Sequence, residues 1–191
     1  MESKKILFVS LNNGSDVRIR KELDTLSDFS KVTFYGISKI KNKNKNKKVN
    51  YINFERSYKN YFNLFLYIKD LVIFIFNNKF DNLHIVDEEL YILLFLFLVV
   101  LKPIKRIYII LDIFDSIYLK NNLYPKHINS YLFKIYLSQI DQLILTDKKR
   151  HQLYPKNFKK IQNAIILENY PYRIDFENEK IIEKKLNIAY I

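Results

Sequence analysis

The sequence contains no cysteine, and its 191 residues include only two glycines, four prolines and three histidines. The missing cysteine excludes a disulfide framework and a thiolate metal site, and it permits a reducing cytoplasm without demanding one. With glycine confined to Gly14 and Gly36, there is no G-x-x-x-x-G-K-[ST] phosphate loop, no G-x-G-x-x-G dinucleotide turn and no G-x-S-x-G nucleophile elbow. The three histidines are scattered and show no metal-ligand spacing. Kinase, dehydrogenase, hydrolase and zinc-enzyme chemistries are therefore poor fits. Long apolar runs are also missing. The longest, Leu90 to Leu101, spans twelve residues counting Tyr91, whereas a membrane-spanning helix needs roughly 20. That run reads as a buried or interfacial helix. The opening Met-Glu-Ser-Lys-Lys and the few apolar residues after it are shorter than a signal peptide.

What remains is enough to fold. Hydrophobic residues make up 49% of the chain, which supports a proper core and argues against wholesale disorder. The length suits one sizeable α/β domain, or one domain and the beginning of another. The net charge is +12, but residues 39–48, K-I-K-N-K-N-K-N-K-K, hold six lysines and no acid, so half of the excess sits in one segment. A Lys/Asn run between two strand-like segments reads as a solvated loop. Its functional reading is attraction to anionic headgroups or nucleic acid.

Apolar runs alternate with longer stretches of helical period. Strands are predicted at 5–10, 31–36, 49–54, 82–86, 106–112, 142–146 and 160–166. Helices are predicted at 16–27, 58–77, 88–101, 127–138 and 147–154. Strands separated by helices of this length imply βαβ crossovers and a mostly parallel sheet. Several strands are apolar throughout, as Ile107 to Leu111 shows, which fits strands covered on both faces. The expected fold is a doubly wound, Rossmann-like α/β domain over 1–170. Beyond Tyr170-Pro171-Tyr172 a charged stretch leads to Leu186–Ile191, so 171–191 reads as a linker and a new strand opening a second domain. A C-terminal strand added to the sheet edge is the competing reading.

Polar groups gather where strands end: Asn12 to Asp16, His84 to Glu89, Asp112 to Ser116, and Thr146-Asp147. The carboxyl ends of parallel strands form the crevice in which ligands bind. The turn from Ser10 to Ser15 delivers Asp16, Arg18, Arg20 and Glu22 into a helix's first turns. Asp16 is either a site residue or an N-cap acid. Arg18 and Arg20 either face a ligand or pair with Glu22 and Asp24 on a solvated helix face. His84 is either a cleft residue or a satisfied core histidine. Asp112 follows an apolar run, so partial desolvation would raise its pKa toward that of a general base. Asp115 accompanies it, and Thr146-Asp147 reads as a helix N-cap.

In this order, these segments resemble the N-terminal half of family 4-type glycosyltransferases of GT-B architecture. Ser15-Asp16-Val17-Arg18-Ile19-Arg20-Lys21-Glu22 resembles that family's S-D-x-R-[VI]-x-x-E segment. Phe80 to Asp87 resembles its [FY]-D-[VI]-[IV]-H-x-H-D strand, with Val86 in place of the second histidine. Ile110 to Asp115 is similar to its Y-D-[IAV]-x-[DE] strand end, with Leu111 where many members carry histidine. Asp141 to Thr146, Ile161-Gln162-Asn163-Ala164 and Glu168-Asn169-Tyr170-Pro171 are similar to its later segments.

The resemblance implies sugar transfer from a nucleotide-sugar to a glycan or lipid-linked acceptor, of hexosyltransferase type, in cell-surface polysaccharide synthesis. It implies that residues 1–170 form the acceptor-side domain, and that this chain alone is inactive because the donor domain is missing. Carried over residue by residue, Gly14, Asp16 and Arg18 lie by the donor diphosphate, His84 and Asp87 on the acceptor side, and Asp112 and Asp115 supply the base. No metal or other cofactor is expected. The implied location is cytoplasmic, peripheral at the inner membrane face, which the basic loop and the apolar helices at 58–77 and 88–101 suit. No specific nucleic acid is expected as partner. The rival reading is a non-catalytic basic module that binds nucleic acid or anionic membrane through residues 39–48.

Overall fold

The computed structural model describes residues 3–39, 45–57, 59–114, 116, 119, 126–154 and 158–167. Seven strands form one sheet in which every pairing is parallel: β1 (Lys5–Ser10), β2 (Lys31–Ile37), β3 (Asn50–Phe54), β4 (Asn82–Val86), β5 (Tyr108–Ile113), β6 (Gln142–Leu145) and β7 (Ile165–Ile166). Their order is β3-β2-β1-β4-β5-β6-β7. The chain works outward from β1 to one edge, then returns to β1's other side and works outward again. The topological switch point therefore lies between β1 and β4, where open α/β sheets receive ligands.

The helices are α1 (Val17–Phe29), α2 (Tyr61–Asn77), α3 (Glu88–Lys105), α4 (Lys126–Leu137), α5 (Lys148–Leu153) and α6 (Lys159–Gln162). The period-2 geometry of strands sends alternate side chains to opposite faces, and the core divides accordingly. Ile6 and Phe8 of β1 join Val32 and Phe34 of β2 under Ile19 and Leu23 of α1. Leu7 and Val9 point the other way, into a larger core with α2, α3 and α4 that includes Tyr67, Leu71, Leu94 and Phe133. This is the doubly wound α/β architecture expected from the apolar strands. The caps follow local chemistry. Asn60 accepts from Phe62 and Asn63 N–H at the start of α2, and Asp147 accepts from Lys149 N–H at the start of α5.

Two boundaries differ from the sequence reading. The strand expected over 160–166 is instead the short helix α6 followed by a two-residue β7. Phe158 and Ile161 are both buried and three residues apart, a helical spacing that a short apolar run does not distinguish from a strand. Helix α3 also continues past Leu101, through Pro103, to Lys105, and Arg106 ends it in the left-handed region at φ 52°. Asp115 and the expected linker and strand at 171–191 lie outside the described residues, as does the centre of the Lys/Asn segment, residues 40–44.

Candidate functional site

The turn leaving β1 is built by short polar side chains that bond the backbone ahead of them. Asn12 Oδ1 accepts from Gly14 N–H at 2.7 Å, and Asn13 Oδ1 accepts from Ser15 N–H at 3.1 Å. Asp16 Oδ1 then accepts from Arg18 and Ile19 N–H at 2.9 and 3.3 Å, closing the N-terminus of α1. Both glycines of the chain serve this turn. Gly14 sits at φ +74°, a conformation glycine adopts without steric cost. Gly36, at the end of β2, has no room for a side chain, because a Cβ there would lie 2.2 Å from the Asn12 carbonyl oxygen.

Behind the turn, Arg18 points inward rather than to solvent. Its Nη2 donates to both Asp112 oxygens, at 2.6 and 2.8 Å, and its Nε donates to Glu22 Oε1 at 2.9 Å. The guanidinium carbon lies 4.1 Å from the centroid of the Phe114 ring, a cation–π contact. Asp112 is fully buried and Arg18 is 6% exposed. His84 stacks on Phe8 with ring centroids 4.3 Å apart. Its Nε2 faces Glu22 Oε2 at 3.7 Å and Asp112 Oδ2 at 3.9 Å, outside hydrogen-bond distance of either. Among the described residues, Arg18 Nη1, His84 Nε2 and, at the end of β1, Ser10 Oγ are buried with no hydrogen-bond partner, and Glu22 Oε2 has one only where a proton bridges it to Asp112.

The electrostatics follow from this geometry. Burial, and then the neighbouring charge of Asp112, pushes the Glu22 carboxyl up to about 7. Burial also raises Asp112, to about 6, against the opposing pull of Arg18. Burial lowers His84 to about 4, so its imidazole is neutral at neutral pH. Two carboxylates share one guanidinium, and the proton they retain belongs on Glu22, because Arg18 already bonds both Asp112 oxygens. One ligand atom each from Glu22, His84 and Asp112 lies within 4.8 Å of the others, a spacing a divalent metal could bridge. Arg18 already supplies that place with a positive charge, so a metal would have to displace its guanidinium from Asp112.

The structure thus gathers Arg18, His84 and Asp112 behind the turn and bonds Arg18 to Asp112. Arg18 is expected at a donor diphosphate, but it spends Nη2 and Nε on Asp112 and Glu22. Asp112 is expected to be a partly desolvated base at the strand end; its carboxyl is raised as expected, but it is fully buried with both oxygens accepting from Arg18. The first amides of α1 are capped by Asp16, so the helix N-terminus is occupied. Gly14 and Asp16 hold the turn itself. Asp87, expected on the acceptor side, is half-buried at the end of β4 on strained backbone, φ 77° and ψ 134°, and its N–H donates to the Asp112 carbonyl. Asp115 falls outside the described residues. Glu22 was overlooked as anything but a surface partner of Arg18. Its signal was its position one turn after an arginine that itself stands in a helix's first turn, where the macrodipole disfavours a cation.

The described end of the Lys/Asn segment folds back on α1. Asn46 donates to Asp24 and Ser27, and Lys48 pairs with Asp28 at 2.6 Å. No protein-family model matches the sequence, and no curated protein matches it.

Proposed function

We propose that this domain serves sugar transfer from a nucleotide-sugar, holding a glycan or lipid-linked acceptor in the crevice at the switch point between β1 and β4. The observation that carries this reading is the β1–α1 turn. A chain with two glycines commits both to it, and three polar side chains in succession fix its backbone. A turn held this firmly at a switch point is a rigid wall against which a ligand can be positioned. Asp87 is the carboxylate on this wall suited to an acceptor hydroxyl, since it stands on strained backbone at the strand end beside the turn. Arg18 and Asp112 act as positioning residues, tying the first turn of α1 to the end of β5. The reaction needs no metal on this reading, and its place is the cytoplasm.

The test is titration of the purified protein with nucleotide-sugars and with glycan and lipid-linked acceptors, followed by backbone amide NMR. An acceptor should shift the amides of Asn13, Gly14, Ser15 and Asp87. Asp87→Asn should weaken that binding about tenfold, the worth of one charge-assisted hydrogen bond, with the melting temperature unchanged. If no glycan or lipid-linked acceptor moves these amides, the reading fails.

A further inference from the structure

Helices α2 and α3 lie side by side on the sheet face opposite α1, and each turns an apolar stripe to solvent. A surface helix normally presents charged and polar residues there. On α2 the outward positions are Phe62, Phe65, Lys69, Ile73 and Phe76, spaced at three, four, four and three residues. All four apolar ones are about half exposed or more. Their counterparts on α3 are Leu93, Leu96, Val100 and Ile104, with Leu96 76% exposed. Between the helices runs a groove of about 460 Å³, floored by Ile68 and Val72 and walled by Phe65, Leu93 and Phe97. Soluble monomers rarely expose contiguous apolar patches beyond a few hundred Å². A face of this kind marks a candidate docking surface.

We propose that the α2–α3 face lies on an anionic lipid surface, with its apolar stripes at the headgroup–acyl boundary. The charges around it favour lipid over a second copy of the chain. Arg56 and Lys59 precede α2, with the exposed acids Glu55 and Glu89 by the starts of the two helices. Lys79, Lys105 and Arg106 stand at the helix ends with Asp81, so cations outnumber acids five to three. Lys105 rests its ammonium 5.1 Å from the centroid of the exposed Phe76 ring and donates to the Phe76 carbonyl. Within the stripes, Lys69 and Asp70 lie at 4.0 Å and offset one another. Two copies meeting here would oppose like-charged rims on a protein of net charge +12, whereas anionic headgroups complement the same rims. Aromatic and aliphatic side chains flanked by Lys and Arg match helices that lie in an interface. Among the described residues no helix is long and apolar enough to cross a membrane, so the contact is one of lying on the bilayer. The inference rests on this surface and not on the sugar-transfer reading.

The experiment uses vesicle flotation and one engineered label. Wild-type protein should float with vesicles containing phosphatidylglycerol, weakly or not at all with pure phosphatidylcholine, and less as salt rises. The double variant Phe65→Ser/Leu96→Ser should lower the partition coefficient at least tenfold while its melting temperature holds, because both side chains are already exposed. The chain has no cysteine, so Leu96→Cys can carry an environment-sensitive dye. Its emission should shift to the blue on binding, whereas the same dye at Asp28→Cys on α1 should not respond. The proposal is overturned by failure to bind anionic vesicles at low salt. It is equally overturned by a dimer in solution that the double variant dissociates, or by unchanged lipid binding in that variant.

Discussion

Replacing Glu22 with glutamine should make the protein more stable than the wild type by a margin that grows as the pH rises from mild acid to about pH 8. Glutamine keeps an oxygen to accept from Arg18 Nε. In place of the second carboxylate oxygen it presents an NH₂ toward His84 and Asp112, as a protonated Glu22 would. In the wild type this carboxyl titrates near 7, raised from 4.5 by burial and by Asp112. A raised acid pKa means that the folded state binds the proton more tightly than the unfolded chain. Its contribution to stability is therefore full below about 4.5 and is lost as pH rises through about 7. Between about pH 5.5 and about pH 8 the loss comes to about 2 kcal/mol. His84 works in the opposite sense. Its pKa is lowered to about 4, so its contribution is lost as pH falls from about 6.5 through about 4. That histidine is present in both proteins and drops out of their difference.

The measurement is urea unfolding of wild type and Glu22→Gln, followed by circular dichroism at both pH values. Near pH 5.5 the variant should already lead by about 1 kcal/mol, because the unfolded carboxyl is ionised there, and near pH 8 by about 3 kcal/mol. The lead therefore widens by about 2 kcal/mol, or about 4–8 °C in melting temperature for a chain of this size. A gap of equal size at both pH values would mean that Glu22 does not hold a proton in the folded state, and a variant less stable near pH 8 would refute the reasoning outright.

Two further substitutions test the packing. Asp112→Asn removes the charge that neutralises a guanidinium only 6% exposed, and by analogy with other broken buried pairs it should cost about 3 kcal/mol in urea unfolding. A loss below about 1 kcal/mol would show that Arg18 swings out to water instead. Gly36→Ala places a Cβ 2.2 Å from the Asn12 carbonyl and 2.6 Å from the Phe34 ring. Backbone cannot yield as a flexible side chain can, so a loss of about 2 kcal/mol or more is expected. An unaltered melting temperature would show that the turn is looser than its hydrogen bonds imply.

Much of the sheet was legible because a strand covered on both faces must be apolar along its whole length. Ile6 to Val9 and Ile109 to Leu111 announce themselves this way, and the helices between them fix parallel pairing. Strand order was not legible. It depends on which edge each crossover reaches, and nothing local to Asn50–Phe54 reveals that the chain next returns to the far side of β1. The site was legible in pieces. Arg18, His84 and Asp112 each stood out by type and place, but the bond between Arg18 and Asp112 joins residues 94 apart. Only the placement of β5 two strands from β1 brings them together. Glu22 stayed hidden because an i, i+4 ion pair on a helix is ordinarily a solvated one. The apolar helices at 58–77 and 88–101 suit a membrane surface already as sequence, but which side of each lacks protein cover is not legible in a helix apolar nearly all round.

The polar network is better understood as a device for placing groups than as a source of stability. A cation in the first turn of α1 works against the helix dipole, and burying Asp112 and Glu22 costs several kcal/mol per charge before any pairing offsets it. Apolar residues of the same volume would hold α1 against β4 and β5 at least as well. The distribution of unmet hydrogen bonds points the same way. Five buried side-chain atoms lack partners among the described residues; Arg18 Nη1 and His84 Nε2 belong to this one network, and Glu22 Oε2, a third, is satisfied only through the proton it shares with Asp112. Ser10 Oγ, a fourth, ends the strand from which the β1–α1 turn departs. Unpaired buried groups are costly wherever they occur. Their concentration at the one place where the strand order reverses is why that place, rather than the rest of the core, is the candidate site.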